Sequence, residues 1–280
     1  MGKPTRKFDA VYTKNSNHID NIAIAPIFND WLEKRPPKKF ELISPSQIGH
    51  CARCMFFKLK GVPETTPPGL GTLATFEVGR WAEMAFGTVF KDQKVLIHHF
   101  LDGDKDPKNQ PFAYKNIKGT PDFLLLINGV LYVVDAKTQR SDSFGWTGTT
   151  QDELRDSKKE YWAQTLTYIL LLRKNADRLI KQFGVTKEQV DNLQGLIFFF
   201  SKDDGVVKRE LLVNPSPEQL QWVETRADWM WEFVKNDELP PCECEGWLIQ
   251  YCNYGDINTR ETNKQKKIVN TSCCSEALYG

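Results

Sequence analysis

Residues 118–137 read KGTPDFLLLINGVLYVVDAK, and this stretch decides the fold. Two apolar runs, 123–127 and 130–134, flank Asn128-Gly129. Both residues of an Asn-Gly pair tolerate positive φ, so the pair predicts a tight hairpin between two strands. Asp122 stands at the entry of the first strand, and Asp135 and Lys137 stand at the end of the second. Side chains two apart in a strand share a face. A hairpin also brings its outer ends together, so two carboxylates and an ammonium are expected to converge at one sheet edge. Carboxylates that close disfavour each other's ionisation. A hard divalent cation relieves the conflict: magnesium and manganese take oxygen ligands, and a nearby lysine can orient a water or support developing negative charge. The set predicts metal-dependent phosphodiester hydrolysis. The same residues would equally suit a plain hairpin whose charged ends face water.

The rest of the chain bounds that reading. Lysine plus arginine (37) nearly balance aspartate plus glutamate (36), which leaves room for a local basic groove without advertising one. No apolar run is long enough to span a bilayer, and the polar N-terminus lacks the apolar core of a signal peptide. The expected location is therefore intracellular, cytoplasmic or nucleoid-associated. Seven cysteines, an odd and clustered set, favour metal or redox chemistry over a fully paired disulfide framework.

Residues 1–39 read as an N-terminal arm ending in the rigid basic linker Arg35-Pro36-Pro37-Lys38-Lys39, residues 40–254 as the main domain, and residues 255–280 as a polar tail. Strands are expected at 95–101, 122–127, 130–135, 193–200 and 206–213, and helices at 72–89, 151–174 and 217–235. Together they make an α/β domain with a mixed central sheet flanked by helices. In the first helix Phe76, Gly79, Glu83 and Phe86 recur at spacings of three and four. Gly79 costs about 1 kcal/mol relative to alanine there, so it marks close packing or close approach of a ligand. Glu83 is either an ordinary helix carboxylate or a third acidic ligand beside the hairpin. His98 and His99 are neighbours and face opposite sides of a strand, which makes them a poor joint metal site. Residues 141–150 form a serine-, glycine- and threonine-rich segment suited to a mobile wall, where Phe144 and Trp146 either stack on a base or anchor the loop. Gln164 and Tyr168 are four apart and share a helix face. Arg53, Lys58, Arg80, Arg140 and Arg155 are candidates for phosphate contact.

Gly79 with Glu83, then Gly119-Thr120-Pro121-Asp122, then Asp135-Ala136-Lys137, then Gln164 and Tyr168 form an ordered set. That set resembles the PD-(D/E)xK nuclease superfamily, particularly its RecB-like exonuclease branch. The branch includes the CRISPR adaptation nucleases with an iron–sulfur cluster and the nuclease domains of helicase–nuclease recombination complexes. The resemblance spans residues 42–254 and implies a restriction-endonuclease-like fold. It implies a metal-dependent DNA exonuclease acting on single-stranded or otherwise accessible ends in repair, recombination, or phage or CRISPR DNA processing. A recombination, replication or CRISPR protein would be its partner. Asp122 and Asp135 would hold Mg2+ or Mn2+, helped by Glu83 and the carbonyl of Ala136. Lys137 would position or activate the attacking water, Gln164 would position the lysine or a phosphate, and Tyr168 would support the DNA-binding side. Many relatives carry histidine at the position of Glu83, and Asp135 replaces the more usual glutamate. A structure-selective or nicking endonuclease, and a non-catalytic DNA-binding or protein-interaction module, are the competing functions.

The same resemblance implies a 4Fe-4S cluster held by Cys51 upstream and by Cys242, Cys244 and Cys252 downstream. Cys54 competes for the upstream place, and the downstream C-x-C-x7-C spacing departs from the common pattern. Four thiolates also suit tetrahedral zinc. Without metal, these cysteines would be small buried hydrophobes or incidental thiols.

Overall fold

The computed structural model describes residues 24–34, 39–101, 105–244 and 252–254. The tail 255–280, the Cys273-Cys274 pair and most of the 1–39 arm lie outside the described residues. In chain order the helices are α1 (Ile24–Glu33), α2 (Ala52–Lys60), α3 (Leu70–Asp92), α4 (Gln151–Ser157), α5 (Lys159–Lys174), α6 (Ala176–Phe183), α7 (Lys187–Asp191) and α8 (Pro217–Asn236). The strands are β1 (Leu96–His99), β2 (Phe112–Tyr114), β3 (Ile117–Gly119), β4 (Phe123–Ile127), β5 (Val130–Gln139), β6 (Gln194–Ser201) and β7 (Val206–Val213).

The expected hairpin forms. Asn128 and Gly129 take φ of 51° and 82°, the two positive values a tight primed turn requires. The register runs from Ile127↔Val130 to Phe123↔Val134. The hairpin is the centre of a mixed five-stranded sheet in the order β1-β4-β5-β6-β7, and β2 and β3 form a separate pair. Only β5 and β6 run parallel within it. A parallel pair needs a long crossover, which α4 to α7 supply.

Both faces of the hairpin are covered. Phe123, Leu125 and Val134 pack with Phe198 against Phe86 and Phe90 of α3. Leu124 and Val133 pack with Ile197 against the α5 side, which includes Leu166 and Ile169. Burial on both faces is why the 123–127 run is continuously apolar rather than alternating. Each such side chain contributes about 1.5–3 kcal/mol on burial.

Several expected boundaries move. Strand β5 does not end at residue 135 but continues to Gln139, because β6 pairs with it as far as Gln139↔Ser201 after β4 has left at Phe123↔Val134. Asp135 therefore sits where one neighbour ends and the other carries on. The expected 151–174 helix breaks at Lys158, whose φ of −143° and ψ of 57° are not helical. Helix α3 is longer than expected, and its Phe76 is exposed while Phe86 and Phe90 turn inward. No helix among the described residues is long and apolar enough to cross a membrane.

Candidate functional site

The end of the hairpin carries a connected polar group. One residue before β4, the Asp122 carboxylate accepts a hydrogen bond from the backbone N–H of Ala136 at 2.7 Å. Directly beyond the last β4–β5 pair, the nearly fully buried Asp135 carboxylate meets the Lys137 ammonium at 2.9 Å through Oδ1 and 2.8 Å through Oδ2. Period-2 geometry puts both side chains on the α5 face of β5. From α5, Gln164 Oε1 accepts from Lys137 Nζ at 3.0 Å. Gln164 Nε2 lies 3.4 Å from Asp135 Oδ1 and donates to the Tyr168 hydroxyl at 3.2 Å. The amide thus fixes both lysine and tyrosine. Tyr161, which sequence reasoning did not single out, places its ring 4.8 Å beneath Lys137 Nζ.

Glu83 faces this group from the opposite layer, but the carboxylates of Glu83, Asp122 and Asp135 do not all lie within 4.8 Å of one another, as the cysteine sulfurs described below do. Gly79, Glu83 and Gly87 repeat at every fourth position of α3 and so share one face. A Cβ on Gly79 would stand 3.4 Å from Thr138 Oγ1 of β5, so the missing side chain brings the helix close to the sheet. Glu83, Asp122, Gln164 and Tyr168 line one cleft of about 680 Å3, together with Arg80, Met84 and Lys118. A second cavity of about 740 Å3 lies at the far end of the sheet around Asn128, Arg173 and Gln194, and none of these carboxylates lines it.

The electrostatics match the geometry. Burial raises the Asp122 pKa well above the ordinary carboxylate value, and the charges of Asp135 and Glu83 push it further up. Burial also raises Asp135, with Lys137 opposing and Glu83 adding. For Lys137, burial works against the charge, but the two aspartates and the hydrogen bond to Asp135 outweigh it, so its pKa stands above the lysine norm. Burial, then Asp135 and Asp122, keep Tyr168 a phenol far into alkaline pH. Asp135 Oδ2 is buried and has no hydrogen bond of good geometry among the described residues, although Lys137 lies beside it.

The cysteines gather elsewhere. Among the described residues, Cys51, Cys54 and Cys244 bring their sulfurs within 4.8 Å of one another, a group able to hold a metal ion. Cys252 Sγ lies 3.5 Å from Cys54 Sγ. The expected upstream alternative, Cys54, thus stands inside the group. Cys242 packs in the same apolar cluster but does not belong to the close trio. Helical geometry explains Cys54: Cys51 caps α2, and a residue three positions on returns to the same side.

The phosphate-contact candidates divide. Arg53 is buried, and its Nε donates to the carbonyl of Pro240 at 2.8 Å, which makes it a brace for the cysteine region. Arg80 is exposed at the cleft and lies 3.6 Å from Glu77, Lys58 lies 4.0 Å from Glu64, and Arg140 and Arg155 are paired with neighbouring aspartates. The expected mobile wall is tied down: Arg209 donates to the carbonyls of Phe144, Thr147 and Gly148, and Gln139 to the Thr147 hydroxyl. Phe144 packs on the core, and Trp146 is left 78% exposed.

No protein-family model and no curated protein matches the sequence. Among solved structures the chain is similar to one titled "Crystal structure of SSO0001", with a TM-score of 0.42 and 14% identity, covering 83% of this chain and 94% of that one. Neither value is high enough to bear on function, which rests on the site's own residues.

Proposed function

We propose that this chain is a divalent-metal-dependent deoxyribonuclease of the PD-(D/E)xK kind, with a restriction-endonuclease-like core and exonuclease action on accessible DNA ends. The observation that carries the reading is the connected set of Asp122, Asp135, Lys137 and Gln164 at the end of the hairpin, beside a cleft that Glu83, Asp122 and Gln164 line. The donor set fits Mg2+ or Mn2+. It offers carboxylate oxygens, one of them buried without a good hydrogen bond, and the Ala136 carbonyl is adjacent in the chain. Bound there, the cation would polarise the phosphoryl group and lower the pKa of a bound water.

The protein's own groups have definable parts. Lys137 remains an ammonium and therefore donates, which suits it to hold a water or a phosphoryl oxygen rather than to remove a proton. Gln164 accepts from that ammonium and sets its direction. Tyr168 stays neutral and can donate to a phosphate on the wall of the cleft. Arg80 and Lys118 supply positive charge beside the acids, and Trp146 offers an open ring on which a base can stack.

We further propose a structural metal centre at the thiols. The family resemblance implies a 4Fe-4S cluster. The short sulfur separations favour a single tetrahedral ion, since Zn–S bonds of about 2.3 Å set sulfur atoms about 3.8 Å apart. Visible absorbance and metal content of anaerobically purified protein separate the two.

The nuclease reading is tested by digesting end-labelled linear and circular DNA with Mg2+ or Mn2+, with Lys137→Ala as control. Metal-dependent release of nucleotides from linear DNA alone is the expected result. Cleavage of circles points to the endonuclease alternative, and no hydrolysis under any of these conditions removes the enzyme reading.

A further inference from the structure

Glu83 differs from the two aspartates in how it is held. Asp122 and Asp135 are fixed by the sheet, whereas Glu83 hangs from α3 on a long side chain with several free torsions. A ligand of that kind binds metal poorly unless something restrains it. The restraint visible here is His99. Its Nε2 lies 3.1 Å from Glu83 Oε1, and both side chains are largely buried. A carboxylate only accepts, so Nε2 carries the proton and donates. The bond occupies Oε1 and leaves Oε2 for another partner.

The imidazole is itself seated on two sides. Gly87, one turn beyond Glu83, has no Cβ; one built there would stand 2.4 Å from His99 Nδ1 and 2.9 Å from Cε1. Below, the Phe123 ring lies 4.6 Å from the imidazole at 31°. His99 pairs with Phe123 across the β1–β4 ladder, and the next residue, Phe100, donates its N–H to the Asp122 carbonyl at 2.9 Å. The ring that holds Glu83 is therefore in register with the strand that carries Asp122. His98 faces away, bonded to Asn109 at 2.7 Å, and takes no part.

We infer that His99 is the positioning residue of the acidic site: seated in the notch left by Gly87, it holds Glu83 facing the cleft that Asp122 also lines, from which Glu83 can join the aspartates on a divalent cation. This rests on the metal-site reading above. Groups that orient metal ligands from outside typically change affinity by about 10- to 100-fold when removed. A glycine at position 87 is explained by the same geometry, since any larger residue would push the ring off Glu83.

The test is Mn2+ binding, followed by the electron paramagnetic resonance of free Mn2+, on the full chain and four variants. His99→Phe keeps a ring in the notch and over Phe123 but removes the donor. His99→Gln restores an N–H close to the place of Nε2. Gly87→Ala displaces the ring with His99 intact. Asp135→Asn reports on the site itself. We expect His99→Phe and Gly87→Ala to weaken Mn2+ binding by about 10- to 100-fold and His99→Gln to recover most of it. DNA hydrolysis by His99→Phe should return towards the wild-type rate at saturating Mn2+, because a positioning defect raises the metal requirement rather than removing a reacting group. Wild-type affinity in His99→Phe, alongside a large loss in Asp135→Asn, overturns the inference and leaves the metal site standing. An unaffected Asp135→Asn overturns both.

Discussion

Replacing Lys137 with methionine tests the buried ion pair most directly. Methionine nearly fills the lysine's volume but leaves the Asp135 carboxylate, which is 1% exposed, without its two contacts at 2.8 and 2.9 Å. Removing one partner of a buried pair costs about 3–5 kcal/mol. The Gln164 amide, 3.4 Å from Oδ1, offsets little of that. Asp135 has another outlet: burial already raises its pKa above 3.8, and without the opposing lysine it rises further. A carboxylate whose folded pKa lies above its unfolded one stabilises the fold at low pH, and that contribution is lost as pH rises through the folded pKa. The gap between wild type and Lys137→Met should therefore be small, about 1 kcal/mol, in mild acid where Asp135 takes a proton. It should widen to about 3 kcal/mol in alkali. At about 2–4 °C per kcal/mol for a chain of this size, the alkaline gap is a Tm difference of roughly 6–12 °C. Thermal melts in EDTA across pH measure it, and Mn2+ should narrow it by supplying the missing positive charge. A gap that stays below about 2 °C, or that does not change with pH, refutes the buried pair.

Two further outcomes follow from the packing. If the proposed cysteine centre holds a metal, Cys54→Ser should strip it, as measured by metal content after purification, because the Cys54 sulfur belongs to the close trio and lies 3.5 Å from that of Cys252. Gly195→Ala should cost about 1–3 kcal/mol in chemical denaturation, since its Cβ would stand 2.3 Å from Thr165 Cγ2 and 3.2 Å from Val213 Cβ, wedging α5 from β6.

What the sequence disclosed and what it hid divide along contact range. Asn128-Gly129 and the apolar runs beside it are local signals, and the hairpin register follows from them. The common face of Asp135 and Lys137 follows from the two-residue period, and the Gln164–Tyr168 contact from the helical one. The continuation of β5 to Gln139 was hidden because it depends on pairing with β6, about sixty residues away. The three-residue strands β2 and β3 are too short for alternation to register. Arg53 looked like a phosphate contact because a guanidinium is usually exposed; its burial depends on the Pro240 carbonyl, 187 positions on. His99 was noticed only as one of two adjacent histidines. Alternation did separate it from His98, but nothing local said that Gly87 would leave it a seat.

The site's location has a physical reason beyond any single residue. Where β4 leaves the sheet at Phe123, the backbone of β5 loses a partner on that side. The Ala136 N–H there is taken up by the Asp122 carboxylate instead of by a strand. One carboxylate is thus fixed by completing a hydrogen-bond ladder that has ended, and the next, Asp135, is buried because β6 continues alongside it. Two acids held by the backbone pattern cannot move apart to relieve their repulsion. They can only keep protons, as their raised pKa values indicate, or accept positive charge. Lys137 supplies one such charge, and Glu83 adds a third carboxylate facing the cleft, where Arg80 and Lys118 stand on the wall. At the proposed metal site a divalent ion would complete the balance.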